Sequence, residues 1–501
     1  MKAPISVVWL KRDLRLHDHA ALQAAIAEGL PILLLYVFEP SLRKAETYDT
    51  RHACFVWESL EDLHKQLAPF QGQIQVVEGE VLELFQKLQT YFDIHGIYAH
   101  QETGIFLTYQ RDILVETYLK AQRIPLHTFP QDGVERGRMN REGWEEDWKK
   151  YMSAPPANIR VEEISFAQLP QALSETFWPM DYLPSWYQKH TASQPGGSSL
   201  GSRYLQSFLQ KRIRDYASRL SYPIESRRSC SRLSPYIAYG NLSVRQIYQA
   251  TQTQRETGLF ATNLARYQER LWWRSHYMQK LETDYEIEWK DINPGFHLLH
   301  RQADAEKLER WAKGLTGFPM VDACMRCLRT TGFLNFRMRA MLSTFATFSL
   351  WLPWQDVAKV LAKIFLDFEP GIHFAQIQMQ AGTSGYHPLR VYNPMTQAER
   401  LDPQGVFVKQ WIPELADVPA PQIIRPWTMT PMEQIFFGCE IGKDYPVPIV
   451  NYDTETQKAK DVYWRIRKDE AVRQYLPQLW WKHCLPRNRK EYEMELAEEK
   501  I

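Results

Sequence analysis

Arg266, Arg270 and Arg274 recur at i, i+4 and i+8, a spacing that on a helix lines three guanidinium groups in one stripe with Trp273 beside it. Such a stripe has the chemistry to hold phosphates, with the indole as a stacking platform. It has equally the composition of a solvated, salt-bridged helix face. A second cationic stretch, SRRSCSRLSP (226–235), sets hydroxyls beside Arg227, Arg228 and Arg232 just before a helical pattern. That is the setting of an anion-binding helix start or of an ordinary serine cap. Cys324 and Cys327 form CMRC in a helical pattern, and Cys439 and Cys484 would complete four thiolates for zinc or an iron–sulfur cluster. The spacing to the last two is arbitrary and buried helical cysteines are common, so no metal is assigned. The segment FEPGIHFAQIQMQAG (368–382) follows Asp367 and holds Glu369, His373 and three alternating glutamines. Pro370 predicts a kink there, and His373, on residue type alone, reads as a satisfied buried histidine.

The elements that must position these residues fall into two kinds. In the first 130 residues, short apolar runs (ISVVWL, PILLLYVF, IQVV, GIYAH, IPLHTF) alternate with helical stretches such as FVWESLEDLHKQL, the pattern of an α/β domain with a five-stranded, parallel, doubly wound sheet. Ligands of such sheets sit beyond the carboxyl ends of the strands, so the segments after Leu10, Phe38 and His100 are the pocket candidates. No GxGxxG follows the first strand, which argues against a dinucleotide there. From 131 to 202 the pattern dissolves into Pro, Gly, Ser and Gln, ending in QPGGSSLGS, and reads as an interdomain connector. Residues 203–468 are helical in period and predict a larger, all-α domain, and 469–501 a charged C-terminal helical extension.

With 60 basic and 59 acidic residues the net charge is +1, so any nucleic-acid surface must be local. The high aromatic content suits a cofactor or stacked-base cavity as well as a large helical core. No apolar run approaches a membrane span or a signal peptide. Six cysteines are too few for a disulfide framework in 501 residues. The expectation is a soluble, cytoplasmic protein.

Several longer motifs, WLKRDLRLHDHAAL, SRLSPYIAYGNLSVRQ, RLWWRSHY, TGFPMVDACMRCLRTTGF and YNPMTQAERLDPQGVFVKQWIPEL, resemble the photolyase and cryptochrome family, in order from residue 5 to about residue 468. The resemblance implies an antenna domain at the N-terminus, with a folate or deazaflavin chromophore near HQETG (100–104) and Glu102, and a helical domain that folds around FAD. It implies a blue-light-driven lyase acting on pyrimidine dimers in DNA, or a cryptochrome-like photoreceptor or redox flavoprotein with a light-dependent protein partner. Carried over residue by residue, the flavin's phosphates fall to Tyr216, Cys230, Ser231, Arg232, Leu233 and Ser234, and the ion pair beside its ring to Arg339 and Asp367, with Glu369 nearby. His373 takes the position facing the reactive ring nitrogen, where an imidazole titrating near neutrality would make the flavin's protonation pH dependent. The lesion cavity carries over as Trp273, Met379, Arg270 and Phe336, with Arg270 and Arg274 on its rim. Of the three tryptophans of the family's electron-transfer chain only Trp354 remains, with Ile377 and Arg301 in the other places. The usual wire is therefore expected to fail unless another aromatic such as Tyr386 substitutes. The glutamines 376, 378 and 380 are expected to satisfy the flavin edge or buried backbone.

Overall fold

The computed structural model describes residues 2–179, 181–489 and 494. Five strands, β1 (Ala3–Leu10), β2 (Ile32–Phe38), β3 (Ile74–Glu78), β4 (Phe92–His100) and β5 (Leu126–Phe129), pair in the order β3-β2-β1-β4-β5, every neighbour parallel. β1 and β2 are near-continuous apolar runs because helices cover both faces of the sheet. The strand order reverses between β1 and β4, which opens a crevice at their carboxyl ends.

The tract read as a connector carries more structure than its composition suggested. Helix Trp144–Ser153 buries Trp144, Trp148 and Met152, and Trp144 packs edge-on against Trp272 of the helical region with ring centroids 5.5 Å apart. The next helix, Ser198–Gln210, begins inside the Gly/Ser tract. Tryptophan burial outweighs the loop-like residues around it, since each buried aromatic removes a large apolar area from water.

From 198 onward the chain is helical, as expected. Two helices build the main site. Ala261–Thr283 buries Leu264, Leu271, Trp272, Met278 and Leu281 on its core side. Pro370–Ala381 begins with Pro370 at its first turn and Glu369 as N-cap, and Gly382 at φ +80° ends it. Pro370 therefore starts a helix and does not kink one, because the first turn has no intrahelical acceptor for an N–H and proline's φ is already helical. The C-terminal helix Leu476–His483 lays its end against the same site. Of the charged extension expected to 501, residues 490–493 and 495–501 lie outside the described residues.

Candidate functional site

A cavity of about 510 Å³ lies between helices 261–283 and 370–381. Arg270, Trp273, Arg274, Tyr277 and Lys280 face it from the first helix, and His373, Gln376, Ile377, Met379 and Gln380 from the second. The cationic stripe is thus a cavity wall, but its members differ. Arg266 and Arg270 are exposed, whereas Arg274 is buried and places its guanidinium on Glu369, with Nε 3.0 Å from Oε2, and 3.0 Å from Asp132 Oδ2. Burial alone would lower its pKa; Asp132 and Glu369 overcome that and raise it. The expectation that Arg274 is a rim cation free for a ligand is therefore corrected: it is an internal strut, and Glu369 is its partner.

At the other side of the cavity Arg339 Nη2 donates to Asp367 Oδ2 at 2.8 Å, and its guanidinium lies 4.2 Å from the Phe365 ring centroid. Burial pushes the Asp367 carboxyl up, but Arg339 more than compensates and holds it below its ordinary range. Asp367 Oδ1 is buried without a hydrogen-bond partner. His373 is buried among Phe365, Phe368 and Phe374 and donates Nε2–H to the Ala358 carbonyl at 2.8 Å. Burial lowers its pKa to about 4, so the expected titration near neutrality is corrected. The ring is neutral at pH 7, and Nδ1 is left as an acceptor only.

Trp273 lines the cavity beside Tyr277, ring centroids 6.0 Å apart, and donates Nε1–H to Glu269 at 3.2 Å. Met379 receives the Tyr277 hydroxyl on its sulfur at 3.6 Å. Phe336, expected between flavin and substrate, is 47% exposed and sits at the cavity's lip. The glutamines divide by helical period: Gln376 and Gln380 share the cavity face, while Gln378 points away. Its amide closes a backbone gap by donating to Ile287 O and Lys290 O and accepting from Ile292 N.

The run 230–234 forms a loop beside the cavity, with Ser234 reaching the lining. Arg232 has φ +59° and lies 3.7 Å from the Phe333 ring centroid; Arg227 stands 5.6 Å from the same ring. Burial and the neighbouring Arg227 lower the Arg232 pKa to about 10. Arg212 donates to the Cys230 and Ser231 carbonyls. The Cys230 thiol is pushed up to about 11 by burial, so it stays protonated. Leu233 is core. Tyr216 packs edge-on against Phe208 and Tyr267.

Two family models match the chain, "DNA photolyase" over residues 6–135 and "FAD binding domain of DNA photolyase" over 267–465. The chain belongs to the photolyase/cryptochrome family. It is 29% identical to a deoxyribodipyrimidine photo-lyase of Alkalihalophilus pseudofirmus over 91% of this chain and 97% of that one. It is 26% identical to a cryptochrome DASH of Gloeobacter violaceus, over 90% and 94%. The crystal structure of a Synechocystis cryptochrome has the same fold, with a TM-score of 0.83 at 22% identity over 92% of this chain and 99% of that one.

FAD is the cofactor of this family, and the residues present fit it. The Arg227 and Arg232 cations around the 230–234 loop suit a diphosphate, while Arg212 directs its donors to the loop's own carbonyls and to Tyr204 O and Ser207. Asp367 lines the cavity with the Ser234 hydroxyl beside it, and its buried Oδ1 makes no hydrogen bond within the protein, so it can accept from a ligand. Ile377 lines the cavity while Trp354 does not; it is buried, with Nε1 donating to Asp291 at 2.6 Å. Arg301 donates to Ala381 O at 2.8 Å and stacks 4.9 Å over Trp351.

A second cavity lies where the sheet rule puts it, beyond Leu10, Phe38 and His100, bordered by Arg12, Glu39, Glu102, Arg111 and Tyr239. Arg111 bridges Glu39 and Glu102 at 2.7 Å each. This crevice, about 140 Å³, is where a second chromophore of the family would sit. Nearby, Asp13 Oδ2 takes His100 Nδ1 at 2.8 Å and lies 3.2 Å from His19 Nε2. This trio is the one metal-type group among the described residues; the four cysteines 324, 327, 439 and 484 do not converge. His19 Nδ1 caps helix Ala20–Ala27 by accepting from Leu22 N, so the trio ties strand ends to a helix start.

Sequence reading missed Tyr277, Lys280, His387 and His483 as cavity residues. Tyr277 and Lys280 continue the 270, 273/274 face by helical period and were legible. His483 comes from the C-terminal helix, and no local pattern links it to the site.

Proposed function

We propose that this protein is a light-driven, FAD-dependent lyase that reverts pyrimidine dimers in DNA. The observation that carries the reading is the cavity itself. It is large enough for flipped bases, aromatic on one wall and bordered by the Arg339–Asp367 pair, with Arg270 and Arg390 exposed at its edge. FAD, bound and reduced, would supply the light-driven electron. The chain's own residues do the rest. Trp273 offers a face for base stacking, and Met379 a polarisable opposite wall. Arg270 offers donors to a base carbonyl or a backbone phosphate. Neutral His373 keeps its proton on Nε2, so the cavity meets a fixed acceptor and not an imidazolium.

The second reading is a cryptochrome-like photoreceptor. Ile377 and Met379 favour it, because aliphatic side chains line the cavity where the family resemblance implies tryptophans. Binding separates the two. A lyase binds a dimer-containing single strand at least ten times more tightly than the undamaged strand, with a salt slope reporting a few phosphate contacts. Equal affinity for both strands favours the photoreceptor.

A further inference from the structure

The end of the cavity nearest the C-terminal helix holds positive charge without an anion to match it. Lys280 lines this chamber at 2% exposure and donates to the Tyr386 hydroxyl at 3.2 Å, with Nζ 5.2 Å from the Tyr277 ring centroid. Arg141, 1% exposed, lies behind it; Nη1 reaches Thr283 Oγ1 at 3.2 Å, while Nε and Nη2 have no hydrogen-bond partner. Among the described residues no carboxylate lies within ion-pair distance of either cation. His276 Nδ1, on the same cavity wall, is also buried without a partner. Isolated buried charges are strongly unfavourable, and protein interiors normally pair them. A pair of such cations beside a cavity points to an anion from outside.

We propose that this chamber is a subsite for a phosphate group of the nucleic-acid strand that enters the cavity. The inference rests on the reading that the cavity takes nucleic acid. Lys280 lies two turns, about 10 Å, along the same helix from the stacking face of Trp273, so one strand can offer a base to one and a phosphate to the other. Exposed Arg390, also on the cavity wall, extends the positive track outward. Several donors around an open space suit an oxyanion with several acceptor oxygens.

Lys280 is faced by His276 and Tyr277 on its own helix, Tyr386 and His387 from the loop after 381, His483 and Cys484 from the C-terminal segment, and Arg141. Burial, with the Arg141 charge adding to it, lowers the Lys280 pKa to about 8. The subsite therefore weakens as pH rises through 8 and the ammonium loses its proton.

The test titrates inorganic phosphate into the FAD-loaded protein by calorimetry. One saturable site is expected, at least tenfold weaker in Lys280→Met, retained in Lys280→Arg, unchanged in the exposed control Lys290→Met, and weaker at pH 9 than at pH 7. Flavin content and circular dichroism confirm that each variant is folded. A thymine dimer with its bridging phosphate should then compete for the site, and the dimer of free thymine bases should not. Competition by neither dimer assigns the site to free phosphate and overturns the nucleic-acid assignment. The proposal is also overturned if the FAD-loaded protein binds no phosphate, or if Lys280→Met binds it as tightly as the wild type. Phosphate and dinucleotide binding without light-driven repair leaves the subsite standing and removes the lyase reading.

Discussion

Removing the Arg274 guanidinium should destabilise the flavin site out of proportion to one surface ion pair. The side chains of Arg274 and Glu369 are 9% and 7% exposed, and Asp132, 3.0 Å from Arg274 Nη1, is 15% exposed. Arg274→Met takes away the cation paired with both Glu369 and Asp132, and breaking a buried pair this way costs about 3–5 kcal/mol. Glu369→Gln is milder, about 1–3 kcal/mol, because Arg274 keeps Asp132 and the amide oxygen still accepts. In the double variant the uncompensated charge at 369 is gone, so the two losses should fall short of their sum by about 1–3 kcal/mol. The assay is urea unfolding of the FAD-loaded proteins, followed by release of flavin fluorescence and by circular dichroism. Losses that add within about 0.5 kcal/mol would refute the strut and return Arg274 to the role of a free rim cation.

Trp273→Ala should weaken binding of a dimer-containing oligonucleotide by about 1–3 kcal/mol, the usual value of one base–aromatic stack, while Trp273→Phe keeps most of it; a filter-binding or anisotropy titration reads both. Asp367→Asn removes the charged acceptor of Arg339, a bond worth about 1.5–3 kcal/mol, and should reduce flavin content after gel filtration; unchanged content would detach the pair from FAD. The His373 pKa is lowered from the ordinary 6.5 to about 4, so between those values the unfolded chain binds a proton that the folded chain does not. Stability therefore falls as pH drops from 6.5 towards 4, by about 2 kcal/mol for this residue between pH 7 and pH 5. His373→Gln should lose correspondingly less over that range, and equal losses in variant and wild type would show that the ring is not buried neutral.

The parallel sheet was legible because strands covered on both faces are unbroken apolar runs, as in ISVVWL and PILLLYVF. The cavity wall was legible because Arg270, Trp273 and Arg274 follow helical period. The role of Arg274 was not, since Glu369 lies 95 residues away and only folding brings them together. His373 misled for a related reason: its residue type sets a pKa near neutrality, but burial among three phenylalanines lowers it against the opposing pull of the Ala358 carbonyl. Pro370 was ambiguous because proline both breaks and begins helices, and the extended backbone of Glu369, φ −128°, selects the second outcome. The glutamines alternate like a strand in sequence, but the helix puts 376 and 380 together and sends 378 to bind loop backbone. The tract 131–202 hid a helix because two buried tryptophans outweigh a loop-like composition.

The account's central claim is that this cavity brings a pyrimidine dimer to FAD. The most direct measurement is repair of a dimer-containing oligonucleotide by chemically pre-reduced protein under blue light, against the same mixture in the dark. Chemical reduction makes the result independent of how the flavin is photoreduced, so it depends on the cavity alone. The account predicts light-dependent loss of dimers with the wild type and a marked slowing with Trp273→Ala. Intact dimers after illumination of fully reduced, flavin-loaded protein would contradict it.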